Sequence, residues 1–110
     1  MAANPTCERR TIARADGSSI IYYFSSPTPP EHYFPILIAL DGASDVQAPE
    51  SVLPFNASIA AFIDPTRVGL VTVEKRGIDG DVADHNEFLA HYTLSQRLQD
   101  HSTVIQTLYK

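Results

Sequence analysis

The residue types of a Ser-His-Asp triad are all present in this chain. In a triad the histidine takes the proton of the serine hydroxyl and the carboxylate orients the histidine, and the set is recognised by its geometry rather than by its order in the sequence. None of the candidate residues lies in a motif that presents a nucleophile, so we expect no active site from them. The candidates are Ser44, His85 or His91, and Asp79.

Carboxylates are concentrated in one polar segment, where a divalent cation would find oxygen ligands. Asp79, Asp81 and Asp84 are followed by Glu87, but they lack the regular spacing of an EF-hand loop. The single cysteine, Cys7, has no further thiolates beside it for a zinc site. We therefore interpret the segment as a solvated acidic loop and predict no metal and no cofactor.

The composition is that of a globular protein of one domain. The chain has 110 residues, of which 44% are hydrophobic and 19% are charged, and this argues against a disordered chain. The formal net charge of -5 argues against a nucleic-acid partner, because such a partner requires a basic patch. We expect a disordered N-terminus over residues 1–7 and a single α/β domain over residues 8–110.

No segment of the sequence indicates secretion or membrane insertion. One cysteine allows no intrachain disulfide, so the chain needs no oxidising compartment. The N-terminus lacks a basic region followed by an apolar run, and the longest apolar run, Ile36 to Leu40, is too short to span a bilayer. We expect a soluble, cytoplasmic protein with no membrane partner.

The first elements are predicted to form an antiparallel hairpin. Glu8 to Ala15 and Ser18 to Ser26 contain many β-branched and aromatic residues, and Asp16-Gly17 between them is a strong turn dipeptide. The prolines that follow end the hairpin, since proline has no N–H to donate to a strand.

Two apolar runs predict strands that are buried on both faces, as in a parallel sheet. They are Tyr33 to Leu40 and Val68 to Glu74. The stretch between them, Glu50 to Ile63, has helical spacing, with a start near Pro54 because proline fits best in the first turn of a helix. Two such strands joined through a helix predict a right-handed parallel crossover.

The second run is followed by a predicted loop, Lys75 to Tyr92, and by a helix from Leu94 to about Tyr109. Thr93 and Gln96 have the spacing of a capping box at the start of this helix. The predicted class is α/β, with the order β-β-β-α-β-α. The helix is expected to bury the face formed by Leu94, Leu98, His101, Ile105 and Leu108.

Three short segments carry a family resemblance. They are Asp41-Gly42-Ala43-Ser44, the loop Glu74 to Gly80, and the helical segment Tyr92 to Asp100. In this order and spacing they resemble the N-terminal part of the α/β-hydrolase family, over most of the chain. Many family members have His-Gly in place of Asp41-Gly42 and Asp-x-Arg-Gly-x-Gly in place of Glu74 to Gly80, where the loop of this chain is one residue longer.

The resemblance implies a partial α/β-hydrolase-like sheet, with an antiparallel hairpin followed by parallel strands and helices. In the family a backbone N–H of the turn after the first parallel strand helps to form the oxyanion hole, and here that donor would be Ala43. The oxyanion loop implied in this way is Asp41, Gly42, Ala43 and Ser44. A structural role is implied for the loop residues Glu74, Arg76, Gly77 and Gly80, and Asp100 is expected to meet Arg97 or an incoming loop.

The nucleophile of the family lies in a G-x-S-x-G motif and is followed in the chain by the acid and the histidine. No glycine of this chain begins such a pentapeptide. We therefore assign no catalytic residue. We expect an incomplete core of a hydrolase of ester or acyl bonds, which lacks the Ser-Asp-His triad and is inactive alone.

The resemblance also puts the strand Tyr33 to Leu40 beside the strand that carries the nucleophile. Without that neighbour, Ile36 to Leu40 would form an exposed apolar edge that favours pairing with another chain. The expected partner is the missing C-terminal part or a second copy of the chain. The alternative function is a small non-catalytic α/β interaction module that pairs through this edge, and a further one is a small enzyme with an unrecognised site.

Overall fold

A mixed four-stranded β-sheet, a two-stranded antiparallel sheet and three helices form the regular structure in the part of the chain that the structure describes. The computed structural model describes residues 7–27, 34–41 and 49–109, so the expected disordered segment 1–7 lies outside the described residues except for Cys7. The class is α/β, as predicted. Within these residues the order of elements is β-β-β-α-β-β-β-α-α, which adds two short strands and one helix to the predicted order.

The N-terminal hairpin forms as its turn dipeptide predicts. Strand β1 (Cys7–Ala13) pairs antiparallel with strand β2 (Ser19–Ser25). In the turn, Gly17 has a φ of 90°, a conformation that glycine adopts without a steric cost. The Asp16 carboxylate accepts a hydrogen bond from the N–H of Ser18 at 3.0 Å. This bond stabilises the turn between the two strands.

The two apolar runs form a parallel pair, as predicted. Strand β3 (Ile36–Ile38) runs parallel to strand β4 (Gly69–Val73), and helix α1 (Leu53–Ala60) connects them. Strand β2 pairs antiparallel with β4, which gives the strand order β1-β2-β4-β3. Among the described residues β3 is therefore an edge strand, and it is shorter than the predicted run.

Helix α1 is also shorter than its predicted range, although Pro54 lies in the first turn as predicted. The helix is attached to the sheet by a polar contact. The buried side-chain amide of Asn56 donates to the hydroxyl of Thr72 on β4 at 2.8 Å. Thr72 therefore faces α1, and its neighbours Val71 and Val73 face the other side of the sheet, because side chains alternate along a strand.

The predicted loop after β4 contains regular structure, so that prediction was wrong. It includes strand β5 (Ile78–Asp79), strand β6 (Val82–Ala83) and helix α2 (His85–His91). These elements are too short for a periodic pattern to identify them. Helix α2 begins after Asp84, whose carboxylate accepts a hydrogen bond from the N–H of Glu87 at 3.0 Å.

The last helix, α3 (Leu94–Leu108), has nearly the predicted bounds. The Thr93 hydroxyl accepts a hydrogen bond from the N–H of Gln96 at 3.1 Å, which is the first half of the predicted capping box. The second half does not form, because the N–H of Thr93 donates to the carbonyl of His91 instead, at 2.9 Å. The Gln96 side chain instead donates to Asp100 of the same helix and accepts a hydrogen bond from Arg76.

The predicted buried face of α3 was wrong in its first two turns. Leu94 is 75% exposed and Leu98 is 56% exposed. His101, a member of the predicted face, is buried, and the other buried residues are Asp100 and Val104. The helix is rotated in this way because Asp100 forms an ion pair with an arginine of the hairpin, a contact that the spacing of the leucines does not reveal.

The hydrophobic core lies between the sheet and α3. Alternate residues of β2 and β4 face α3 and pack against Val104 of this helix. The buried members of this core are Ile20, Tyr22, Phe24, Val71, Val73 and Val104.

Candidate functional site

Charged side chains gather where the parallel strands β3 and β4 end. Asp41 comes soon after β3, and Glu74 and Lys75 directly follow β4. Ligands of open α/β sheets bind outside the carboxyl ends of the strands. Successive side chains of an extended chain point to opposite faces, so Glu74 contacts the start of α1 whereas Lys75 reaches toward α3.

Glu74 is a buried carboxylate that connects three segments of the chain. Its Oε1 accepts a hydrogen bond from the N–H of Val52 at 2.7 Å. Its Oε2 accepts from the Ser51 hydroxyl at 2.6 Å, the N–H of Gly80 at 3.0 Å and the Tyr23 hydroxyl at 3.1 Å. Burial and the charge of Glu74 raise the pKa of Tyr23, so that its hydroxyl stays protonated and donates. Hydrogen bonds from neutral groups thus compensate the burial of this charge.

Asp41, Lys75 and Arg97 form a partly buried group on the other face of the sheet, which we call the ion cluster. Nη2 of Arg97 donates to Oδ1 of Asp41 at 2.7 Å, and Nζ of Lys75 binds Oδ2. Nη1 of Arg97 also donates to the carbonyl of Val73 at 3.2 Å. The exposed fractions of the three side chains are 12%, 4% and 14% in the order given. Two cations share one carboxylate, so the cluster has a net positive charge.

Arg76 connects α2 and α3 to the hairpin turn. Its Nε donates to Glu87 at 2.6 Å, Nη2 to Asp16 at 2.6 Å and Nη1 to Gln96 at 3.4 Å. Burial acts to lower the pKa of Arg76, but the hydrogen bonds to the two carboxylates outweigh it and the pKa is raised. Hydrogen bonds from Ser18, and then from Arg76, lower the pKa of Asp16. The arginine is therefore fixed in place by the folded chain.

Two glycines shape the loop after β4. Gly77 has a φ of 92°, and a Cβ added there would lie 2.6 Å from the backbone nitrogen of Phe88. No side chain fits at that distance, so α2 can pack against the loop only over a glycine. Gly80 has a φ of 61°, and its N–H is one of the donors to Glu74.

Asp100, expected to meet Arg97 or an incoming loop, is paired with Arg14 at the end of the hairpin. Nε and Nη2 of Arg14 donate to its two oxygens at 3.1 and 2.7 Å. The Gln96 amide adds a third hydrogen bond to Asp100, at 2.9 Å. Because both side chains of the ion pair are almost completely buried, the pair anchors α3 to the hairpin.

The oxyanion loop implied by the resemblance lies only in part within the described residues. Asp41 belongs to the ion cluster, while Gly42, Ala43 and Ser44 lie outside the described residues. The structure thus places Asp41 beyond the carboxyl end of β3, with its side chain bound by Lys75, which follows β4, and by Arg97 of α3.

The described members of the candidate triad have other partners. Arg9 donates two hydrogen bonds to Asp79, at 3.0 and 2.7 Å. His91 lies nearest to Glu87, with 3.9 Å between Nε2 and Oε1, and His85 is the exposed first residue of α2. These contacts give no support to a catalytic role for Asp79 or either histidine.

The residues of the acidic segment either make structural contacts or are exposed to solvent. Asp79 is paired with Arg9, Asp84 caps α2, and Asp81 is exposed. Over residues 7–27, 34–41 and 49–109, no three His, Cys, Asp or Glu side chains are grouped as metal ligands.

Sequence reasoning missed the ion cluster. Part of the signal was present, because Asp41 and Lys75 each follow a predicted parallel strand, and adjacent parallel strands end at the same edge of a sheet. The contribution of Arg97 had no such signal. It depends on the rotation of α3, which the leucine spacing predicts incorrectly.

Comparisons with known proteins do not assign the chain to a family. No protein-family model matches it, and no curated protein or solved structure matches it. None of the helices in the described ranges is both long and apolar enough to cross a bilayer.

Proposed function

We propose that this chain forms the N-terminal part of an α/β-hydrolase-like core, in which the edge of β3 receives a parallel strand that carries the nucleophile. The completed core would hydrolyse an ester or a similar acyl bond through a serine. The chain contains no G-x-S-x-G motif, so we infer that it is inactive without that strand.

The edge position of β3 is the observation that carries this proposal. In the described part of the chain β3 pairs with β4 alone. Leu37 is 41% exposed and Leu40 is 58% exposed, although both belong to a run whose composition is typical of strands buried on both faces. The family resemblance puts the nucleophile strand beside this one. An added strand would satisfy the free backbone groups of the edge and cover its apolar side chains.

The arrangement at the strand ends supports the same function. Donors of an oxyanion hole act because they are fixed before the reaction begins. The ion cluster fixes the side chain of Asp41, the first residue of the turn Asp41, Gly42, Ala43, Ser44, and Glu74 and Arg76 fix the neighbouring loop. By this proposal the N–H of Ala43 would donate to the oxyanion, and the reaction would need no cofactor.

A serine-directed fluorophosphonate probe tests the claim that the chain is inactive alone. We expect no labelling of the purified 110-residue chain, in parallel with strong labelling of a known serine hydrolase. Labelling that is lost in Ser44→Ala and kept in the matched variant Ser58→Ala would contradict the proposal. It would show that the chain is a small enzyme with its own nucleophile.

A non-catalytic interaction module is a second candidate, favoured by the same exposed edge. Its function would be the pairing of Ile36 to Leu40 with another chain. The two candidates differ in the partner that they require. A stable 1:1 complex with a partner that lacks a G-x-S-x-G motif would favour the module, whereas a partner strand that ends in this motif would favour the hydrolase core.

A cytoplasmic location is part of the proposal. The single cysteine, Cys7, is partly exposed on β1 and unpaired, and a chain with one cysteine gains nothing from an oxidising compartment. The acidic net charge of -5 favours protein partners over nucleic acid.

A further inference from the structure

A buried histidine of α3 lies beside the ion cluster. His101 is 5% exposed, and its Nδ1 lies 2.8 Å from the carbonyl oxygen of Arg97, one helical turn earlier. A carbonyl oxygen only accepts hydrogen bonds, so Nδ1 carries the proton of the neutral ring. Nε2 is then a buried acceptor, and no group in the described part of the chain donates to it.

The charged groups around this ring come from each element that packs near it. Arg97 and Asp100 lie on α3 itself, and Asp41 comes from the end of β3; all three act on the pKa of His101, which places them within electrostatic range of the ring. Lys75 comes from the end of β4 and shares Asp41 with Arg97. Both carboxylates are already engaged, because the hairpin arginine holds Asp100.

We propose that His101 is an acid-sensitive latch for α3: the neutral ring lets the helix lie on the sheet, and protonation of the ring releases it. A protonated ring would place a further cation near Arg97, and the two carboxylates that would favour it, Asp41 and Asp100, are already paired with other cations. It would also turn Nε2 into a buried donor without an acceptor. Both changes destabilise the packed helix. The latch depends on contacts within α3 and the sheet, and it is independent of the proposed hydrolase function.

The sign of the pH dependence follows from the burial of the ring. Burial lowers the pKa of His101 below its ordinary value of 6.5. As the pH falls, the unfolded chain therefore takes up the proton first, and the folded chain loses stability from about pH 6.5 downward. The stability is fully present above that pH. A difference of one bound proton changes the unfolding constant by about tenfold per pH unit.

Urea unfolding at pH 7.5 and pH 5.0 tests the latch on the whole chain. We expect the unfolding constant to rise by up to about 30-fold more in the wild type than in His101→Met, since about 1.5 pH units lie below the unfolded pKa. The matched control is His85→Gln, which removes an exposed histidine and should keep the wild-type response. Equal responses in the wild type and His101→Met would overturn the proposal.

Two NMR measurements on the wild type need no variant. The ring carbon-proton signals of His101 should titrate with a midpoint below the ordinary histidine pKa of 6.5, and a midpoint at or above 6.5 would overturn the latch. Amide hydrogen exchange, corrected for its intrinsic pH dependence, should become faster in α3 than in β2 at pH 5.0. Exchange in α3 that is no faster than exchange in β2 at pH 5.0 would mean that α3 opens only when the whole chain unfolds, which also overturns the latch.

Discussion

Glu74 and Asp41 show two ways in which a carboxylate can be buried at the ends of these strands. Removing a carboxylate from water is costly unless hydrogen bonds or opposite charges replace the solvent. Glu74 accepts four hydrogen bonds from neutral groups. Asp41 instead binds two cations, Lys75 and Arg97. Glu74 fixes the segments that precede α1 and follow β4 on one face of the sheet, and Asp41 is fixed on the other face. A preorganised site at the carboxyl ends of the strands requires such fixed groups.

Two glycines with nearly the same backbone conformation allow steric crowding to be separated from backbone strain. Gly17 and Gly77 have φ values of 90° and 92°. A Cβ at Gly17 would meet nothing within 4 Å, whereas a Cβ at Gly77 would lie 2.6 Å from the nitrogen of Phe88. We expect Gly17→Ala to lower the free energy of unfolding by about 1 kcal/mol through its φ alone. Gly77→Ala should cost about 3 kcal/mol or more.

Urea unfolding of the two alanine variants at pH 7.5 measures this difference. Equal losses would mean that α2 moves away from the loop without cost, and the close packing over Gly77 would then be unimportant for stability.

Some residue roles could be predicted from local sequence and others could not. Thr93 begins α3 as its spacing with Gln96 predicts. Asp84 and Glu87 have the similar spacing of a capped helix start, and this signal for α2 was present in the segment interpreted as a loop. The orientation of Arg97 depends on distant partners, so no local pattern indicates it, whereas the burial of His101 follows from its position on the predicted apolar face of α3.

At the level of elements, the pair Arg14 and Asp100 attaches α3 to the hairpin. Removal of one partner of a buried ion pair leaves an uncompensated charge and typically costs about 3–5 kcal/mol. We expect a loss in this range for Asp100→Ala. The matched control is Asp79→Ala, which breaks the exposed pair with Arg9 and should cost about 0–1 kcal/mol. The side chains of Arg14 and Asp100 are 10% and 2% exposed, whereas those of Arg9 and Asp79 are 48% and 45% exposed.

Thermal and urea unfolding of the two aspartate variants check this expectation. Losses of similar size would mean that burial does not distinguish the two pairs, and that α3 is held mainly by Val104 in the hydrophobic core.

Most of the elements were predictable, because they follow from local patterns, whereas β5, β6 and α2 were not predicted. The hairpin follows from its turn dipeptide, the parallel pair from two apolar runs, and the bounds of α3 from its cap. The rotation of α3 was not predictable from the leucine spacing. It is set by an ion pair between residues that lie 86 positions apart in the sequence, and such a contact outweighs the apolar pattern of an exposed helix face.

At the level of the whole molecule, the sheet ends at β3 within the described residues, and its edge is apolar. Leu37 on this edge is 41% exposed, and Leu89 on α2 is 49% exposed. We expect the chain to self-associate through the edge when no added strand covers it. Leu37→Lys should weaken this association about tenfold or more, because a lysine on an edge strand opposes strand pairing. Leu89→Lys is the matched control and should leave the association unchanged.

Sedimentation velocity over a range of concentrations distinguishes these outcomes. A wild-type chain that stays monomeric at high concentration, or equal weakening by both lysine variants, would show that the β3 edge is not a pairing surface.

The apolar runs of the sequence predict both the α/β class and the pairing of two parallel strands. The function is less accessible to sequence reasoning, because the proposed site needs groups from the ends of β3 and β4 and from α3 together, and Gly42 to Ser44 lie outside the described residues. The hydrolase proposal therefore depends on the strand that β3 would receive.

Sequencing the transcript that encodes this chain, past the codon for Lys110 and in all three frames, tests that dependence most directly. We expect a β-strand pattern followed by G-x-S-x-G soon after this codon, in frame or shifted. Its discovery would mean that β3 has the predicted neighbour and that the catalytic function belongs to the longer product. A transcript without such a continuation in any frame would contradict the hydrolase proposal and leave partner binding through the β3 edge as the function.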